Sequence, residues 1–169
     1  MGKIKEGKGS TIGNAGEYLV VGELLKRGVI AAPAPRNNPG FDVLATNGVN
    51  SLNIRVKTKT TAAKSWVWMC RKRDPNKTIF RNMRGSSDFS VLVDLRGDDA
   101  APEYYVIPTT ELDKELKAIH QRWLDSPPKR GKPRSTDNLM RRIGDTGYQQ
   151  KWLSQWKNKW SLILGELAR

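Results

Sequence analysis

Three side chains define the chemistry this chain could do. Asp42 stands in Pro39-Gly40-Phe41-Asp42-Val43-Leu44-Ala45, and Lys57 in Leu52-Asn53-Ile54-Arg55-Val56-Lys57-Thr58-Lys59. Glu17 precedes both, in Gly13-Asn14-Ala15-Gly16-Glu17-Tyr18-Leu19. A carboxylate at the head of one strand and a lysine inside the next suit a metal-dependent attack on a phosphodiester. The carboxylate holds a hard cation, and the lysine steadies the attacking water or the phosphate. Arg55 interrupts the pattern. It stands where a second oxygen donor is needed, yet it has no acceptor atom and is permanently cationic. Taken singly, Asp42 reads as a turn-adjacent surface acid, Glu17 as an exposed helix residue, and Lys57 and Lys59 as solvated strand charges. Their order along elements that can meet is what carries the chemistry.

Those elements follow from periodicity and turn residues. A helix is predicted from Ser10 or Thr11 to about Lys26, with Ala15, Leu19, Val20, Leu24 and Leu25 at helical spacing and Gly28 as its stop. Val29 to Ala32 reads as a short strand, Asn37-Asn38-Pro39-Gly40 as a turn, and Phe41 to Thr46 as the next strand. Asn47-Gly48 signals a hairpin into a strand over Ser51 to Thr60. There Asn53, Arg55, Lys57 and Lys59 share one face, and Ile54 and Val56 the other. Trp66 to Cys70 reads as a further strand. Phe89 to Leu95 suits a strand buried on both faces, with Tyr104 to Ile107 beside it. Thr109 or Thr110 caps a helix to about Leu124. Beyond it come a polar loop at 126–138, a short helix from Leu139 to Ile143, and a last helix from Tyr148 to Leu167. On that helix Trp152, Trp156 and Trp160 form a stripe. The stripe reads as core first, and as a dimer contact or base-stacking platform second.

The domain reading is a loose basic arm at 1–9, an α/β core at 10–125, the basic loop at 126–138, and a helical extension at 139–169 packed on the core. A chain of 169 residues can bury one such core. A net charge of +13 points to a polyanionic partner. Two clusters could follow a phosphate backbone: Arg71, Lys72, Arg73, Lys77, Arg81 and Arg84, then Lys129, Arg130, Lys132, Arg134, Arg141 and Arg142. Each also reads as a solvated loop. Cys70 is the single cysteine, so an intramolecular disulfide is excluded, and with His120 as the only histidine a Cys/His zinc site lacks ligands. No apolar run approaches a membrane span, and Glu6 stands where an N-myristoylation signal needs Ser or Thr. A cytoplasmic protein without a membrane partner is expected.

The order of these elements resembles the PD-(D/E)XK nuclease superfamily, most of all its restriction endonucleases, Holliday-junction resolvases and small homing endonucleases. The resemblance covers roughly residues 10–120. Gly40-Phe41-Asp42-Val43-Leu44 matches the first motif, Ile54-Arg55-Val56-Lys57-Thr58 the second, and Glu17 the helix acid that many members add. The resemblance implies an α/β fold with a restriction endonuclease-like α-β-β-β-α-β core, a mixed central sheet and extra C-terminal helices. It implies Mg²⁺ held by Asp42 and Glu17, with Lys57 assisting the water. It also implies DNA, duplex or branched, as partner, bound with Lys59 and the two basic clusters by a homodimer. The family carries Glu, Asp or Gln at the position of Arg55. The reading therefore divides between a Mg²⁺-dependent endonuclease impaired by Arg55 and an inactive binding module in which Arg55 and Lys57 contact phosphate. A basic RNA- or ribosome-associated protein without a site is the third reading.

Overall fold

The structure is a computed structural model. It describes residues 8–35, 40–74, 76–79, 88–97, 99–127, 131 and 134–169, with side chains from residue 11 onward. Helix α1 spans Lys8–Leu25, so it begins inside the expected arm. Strands β1 (Ile30–Pro33), β2 (Val43–Thr46) and β3 (Ser51–Lys59) follow as an antiparallel meander. The β2–β3 turn is built by Asn47, whose side-chain oxygen accepts from the backbone of Val49 and Asn50, with Gly48 at φ 93°. Asn tolerates such turns because its short side chain substitutes for backbone partners.

Strands β4 (Ser65–Met69), β5 (Phe89–Asp94) and β6 (Glu103–Pro108) come next. Helix α2 (Thr109–Asp125), β7 (Met140–Gly144), α3 (Gly147–Ser154) and α4 (Ser161–Leu167) complete the chain. The main sheet has the order β1-β2-β3-β5-β6, with β3 and β5 parallel and the other pairs antiparallel. It is a mixed sheet, as expected. All six residues of β5 are buried, which fits its central place.

The sheet has a core on each face. On one, Val20 and Leu24 of α1 and Ile163 of α4 meet Val43, Ile54, Val91 and Val106. On the other, Leu112, Leu116 and Ile119 of α2 and Leu153 of α3 meet Leu92, Ile107, Trp66 and Ile143. α1 lies unusually close to β3. A Cβ added at Gly16 would sit 1.9 Å from Thr58 Oγ1, so only glycine permits this approach.

Several expectations are corrected. β4 leaves the main sheet and pairs with β7 instead, because the segment expected as a short helix at 139–143 is this strand. Its burial alternates at Arg141, Arg142 and Ile143, a period-two pattern too short to read against a helix. The expected helix over 148–167 is two helices. Between them Asn158 takes φ 55°, and the backbone of Trp156 and Asn158 bonds Val106 and Tyr104 on the free edge of β6. Covering that edge outweighs helix continuity. The tryptophan stripe is accordingly divided: Trp160 enters the α1 side of the core, while Trp152 and Trp156 pack on the other side. The extension is therefore mixed rather than helical. Finally, Pro108 takes the N-cap position of α2 without a side-chain cap bond, and Thr109 instead shares a hydrogen bond with Ser90, 3.0 Å between hydroxyls. The turn expected at 37–39 and the arm over 1–7 lie outside the described residues.

Candidate functional site

Asp42 precedes β2 and is tied on both sides. Its carbonyl accepts from Ala34 N at 2.8 Å, and its amide donates to Ile54 O at 2.9 Å. The β2–β3 register sets Val43 against Ile54, which brings Asp42 opposite Arg55. Its carboxylate then accepts from Val56 N at 2.8 Å. The side chain thus satisfies a β3 donor just ahead of the first residue of β2, a donor that would be costly to leave unpaired.

Asp42, Arg55 and Lys57 line one cleft of about 230 Å³, together with Val56, Trp68, Ile79, Ser90 and Leu92. The Lys57 ammonium lies 6.0 Å from the centre of the Trp68 ring. Burial raises the Asp42 carboxyl above its ordinary range, against the lowering influence of the Val56 amide and of the Arg55 and Lys57 charges. Partial desolvation of the anion therefore prevails over two neighbouring cations.

The sign of that shift makes a prediction. A carboxyl whose pKa is raised on folding takes up a proton in the folded state, so its contribution to stability falls as pH rises through and above the ordinary carboxylate range. Asn keeps an acceptor for Val56 N but carries no charge. Asp42→Asn is therefore expected to gain stability relative to the parent as pH rises from 4 to 7 (an approximate window for carboxyl titration). Urea unfolding of both proteins across that window is the measurement. A difference that stays flat or reverses would show that the Arg55 and Lys57 charges outweigh burial.

The donor set does not fit a magnesium ion. Mg²⁺ seeks oxygen ligands in octahedral geometry. The cleft supplies one carboxylate, already engaged by Val56 N and flanked by two cations. Among the described residues, no group of three His, Cys, Asp or Glu side chains could hold a metal ion. Glu17 is half-buried on α1 beside the Gly16–Thr58 contact and is not among the side chains lining the cleft. The structure thus brings together three of the four residues expected in the site.

The bacterial homing endonuclease I-Ssp6803I matches over 99% of this chain and 96% of its own, with 17% identity and a TM-score of 0.53. The chain has a restriction endonuclease-like α/β fold. The Holliday-junction resolvase Hjc of Archaeoglobus fulgidus aligns over 79% of this chain and 84% of its own, at 18% identity and a TM-score of 0.42. Comparison with protein-family models finds no match, and comparison with curated proteins finds none.

The described part of the first basic cluster lies in the segment between Trp68 and Ile79, both of which line the cleft. Arg71, Lys72 and Arg73 are exposed just past β4. Asp74 shapes the turn that follows, accepting from the Thr78 hydroxyl at 2.7 Å and from the Thr78 and Asn76 amides. These bonds, led by the Thr78 hydroxyl, hold its carboxyl below the ordinary range. Lys77 donates to Lys72 O at 3.1 Å, and the segment runs on to Ile79 at the cleft wall. Arg134 lies over the Trp123 ring, 4.7 Å from its centre. Arg81, Arg84, Lys129, Arg130 and Lys132 lie outside the described residues.

Lys59 differs from expectation. It is 4% exposed and pairs with Asp94 and with Asp145, the latter at 3.0 Å, so it is an internal cation rather than a surface phosphate contact. Strand alternation put it on the Lys57 face, but it gave no sign that Asp94 and Asp145 would enclose its end. Sequence reasoning also missed Trp68, Ile79 and Ser90 as cleft residues. Ser90, a hydroxyl inside the apolar Phe89–Leu95 run, was the one available signal. No helix among the described residues is long and apolar enough to cross a membrane.

Proposed function

We propose that this protein binds DNA and seats a backbone phosphate in the Asp42–Arg55–Lys57 cleft, as a nucleic-acid-binding module on an endonuclease fold. The observation that carries this reading is the convergence of two cations on one partly desolvated carboxylate in a single cleft. A guanidinium beside an ammonium suits a phosphodiester anion. The net charge of +13 and the exposed Arg71-Lys72-Arg73 run extend the favourable field beyond the cleft. The likeness to a homing endonuclease supports DNA as the polyanion.

Binding to duplex DNA is expected to weaken steeply with salt, because each neutralised phosphate releases counterions. Lys57→Ala should lower the slope of log affinity against log salt by about 0.9, the value for one lost phosphate contact. Arg71→Ala and Lys72→Ala should behave alike on any DNA sequence. Fluorescence anisotropy across a salt series reads this, and affinity indifferent to salt would defeat the proposal.

A second reading is divalent-metal-dependent hydrolysis of the phosphodiester, impaired by Arg55. What favours it is that Asp42 and Lys57, the residues matching the two nuclease motifs, line the same cleft. Plasmid and branched-DNA cleavage with and without Mg²⁺ separates the two readings.

A further inference from the structure

Strands β4 and β7 form a two-stranded antiparallel ribbon apart from the main sheet. Its register sets Val67 opposite Arg142 and Met69 opposite Met140, and strand alternation gives it two unlike faces. On the inner face Trp66, Arg141 and Ile143 are buried, and Trp66, Trp68 and Ile143 join the core that α2 covers. The outer face carries Ser65, Val67 and Met69 of β4 with Met140, Arg142 and Gly144 of β7. Met69 is 65% exposed, and Arg142 is exposed as well.

That outer face is not built like a solvated strand. A sheet face turned to water normally alternates to polar residues. This one presents a valine, two methionines and an arginine, and none of its six residues is acidic. Arg142 leans on its neighbour, donating from Nη2 to Met140 Sδ at 3.1 Å. Sulfur is a weak acceptor and a guanidinium has five donors, so most of that donor capacity is left for a ligand. The pairing runs one residue further, with Cys70 N donating to Leu139 O at 2.9 Å. The chain then delivers the exposed Arg71, Lys72 and Arg73. An apolar strip with one guanidinium therefore continues into a run of three cations.

That order is complementary to a duplex groove: cations for the phosphate rim, apolar side chains and a guanidinium for the base edges. The major groove admits a two-stranded ribbon. There thymine presents a methyl group, and guanine presents O6 and N7 to an arginine. Methionine is flexible enough to fit the surface it meets. We infer that the β4–β7 ribbon reads base sequence by laying its outer face in the major groove of DNA, with Arg142 on a guanine and Met69 on thymine methyl groups. This goes beyond the phosphate seat, which by itself carries no sequence information. It rests on the DNA-binding reading but on none of the cleft residues.

Duplexes that bind the full chain are first selected from a random-sequence pool. The parent is expected to recover a preferred sequence containing guanine and thymine. On that duplex Arg142→Gln should bind roughly tenfold more weakly, the loss of one bidentate base contact, and it should change binding to unselected DNA far less. Lys57→Ala should weaken both duplexes alike, as a phosphate contact does. Replacing guanine with 7-deazaguanine, which lacks N7, should weaken the parent and narrow its gap to Arg142→Gln. Replacing thymine with uracil should weaken the parent and leave Met69→Ala unaffected. Both substituted side chains are exposed, and circular dichroism confirms that the variants fold. A parent that binds DNA without any preferred sequence, an Arg142→Gln loss equal on both duplexes, or losses indifferent to 7-deazaguanine and to uracil would each overturn the inference and leave the phosphate seat standing. A parent that binds no DNA would overturn both.

Discussion

Replacing Arg55 with glutamate or glutamine is expected to convert a cleft that repels a divalent cation into one that holds it. At ~4 Å and an effective dielectric of about 20, a pair of unit charges is worth about 4 kcal/mol. Arg55 is half-buried rather than enclosed, so solvent screening takes a share of that energy. After this discount, Arg55→Glu should tighten Mg²⁺ binding by about 100-fold, and Arg55→Gln by about tenfold. Both return an oxygen donor to the strand face that carries Lys57, beside the Asp42 carboxylate. Calorimetric Mg²⁺ titration reads the binding, and cleavage of plasmid or branched DNA reads its consequence. Cleavage that rises with Mg²⁺ in the variants and stays low in the parent would identify Arg55 as the group that silences the site. A parent that already cuts well, and a variant that does not, would make Arg55 part of the cutting machinery and defeat the phosphate-seat reading.

How much of this was legible in the sequence differs by element. The β2–β3 hairpin and its Asp42 and Lys57 were readable because Asn47-Gly48 fixes the turn, and a fixed turn fixes which residues face each other. β5 was readable because a short, nearly continuous apolar run suits a strand buried on both faces. Partners that come together from distant parts of the chain were not readable. β7 pairs with β4 across about 75 residues of sequence, and nothing local in Met140-Arg141-Arg142-Ile143 announces that pairing. The break at Asn158 was hidden for the same reason. The four-residue tryptophan spacing is consistent with one helix, and only the open edge of β6 gives residues 156–158 a better use. Arg55 shows the converse. Its position was set by register, but its consequence, a cleft with one carboxylate and two cations, required the cleft itself.

The two lysines that alternate along β3 should respond to substitution in opposite ways, and this provides the last test. Lys57 and Lys59 share a strand face and a charge, yet Lys59 is 4% exposed and ion-paired to Asp94 and Asp145, while Lys57 lines the cleft. Asp94 is itself 3% exposed, and its other oxygen accepts from Arg96 N at 3.0 Å. Lys59 therefore ties β3 to β5 and to the residue following β7, joining the main sheet to the small one. Lys59→Met keeps the aliphatic stem against Trp66, whose ring lies 4.8 Å from the ammonium, but removes the cation that pairs with both carboxylates. Breaking a buried pair from one side costs about 3–5 kcal/mol. In a chain of this length that is a fall of roughly 10 °C in Tm. Lys57→Met should cost little stability and should reduce the salt dependence of DNA binding instead. Asp94→Asn combined with Lys59→Met should recover part of the loss, because it removes the stranded anion along with its partner. Thermal unfolding and DNA binding measured on the same four proteins separate the two lysines. If Lys59→Met leaves Tm in place but flattens the salt slope, Lys59 contacts DNA and the internal ion pairs do not describe it in solution.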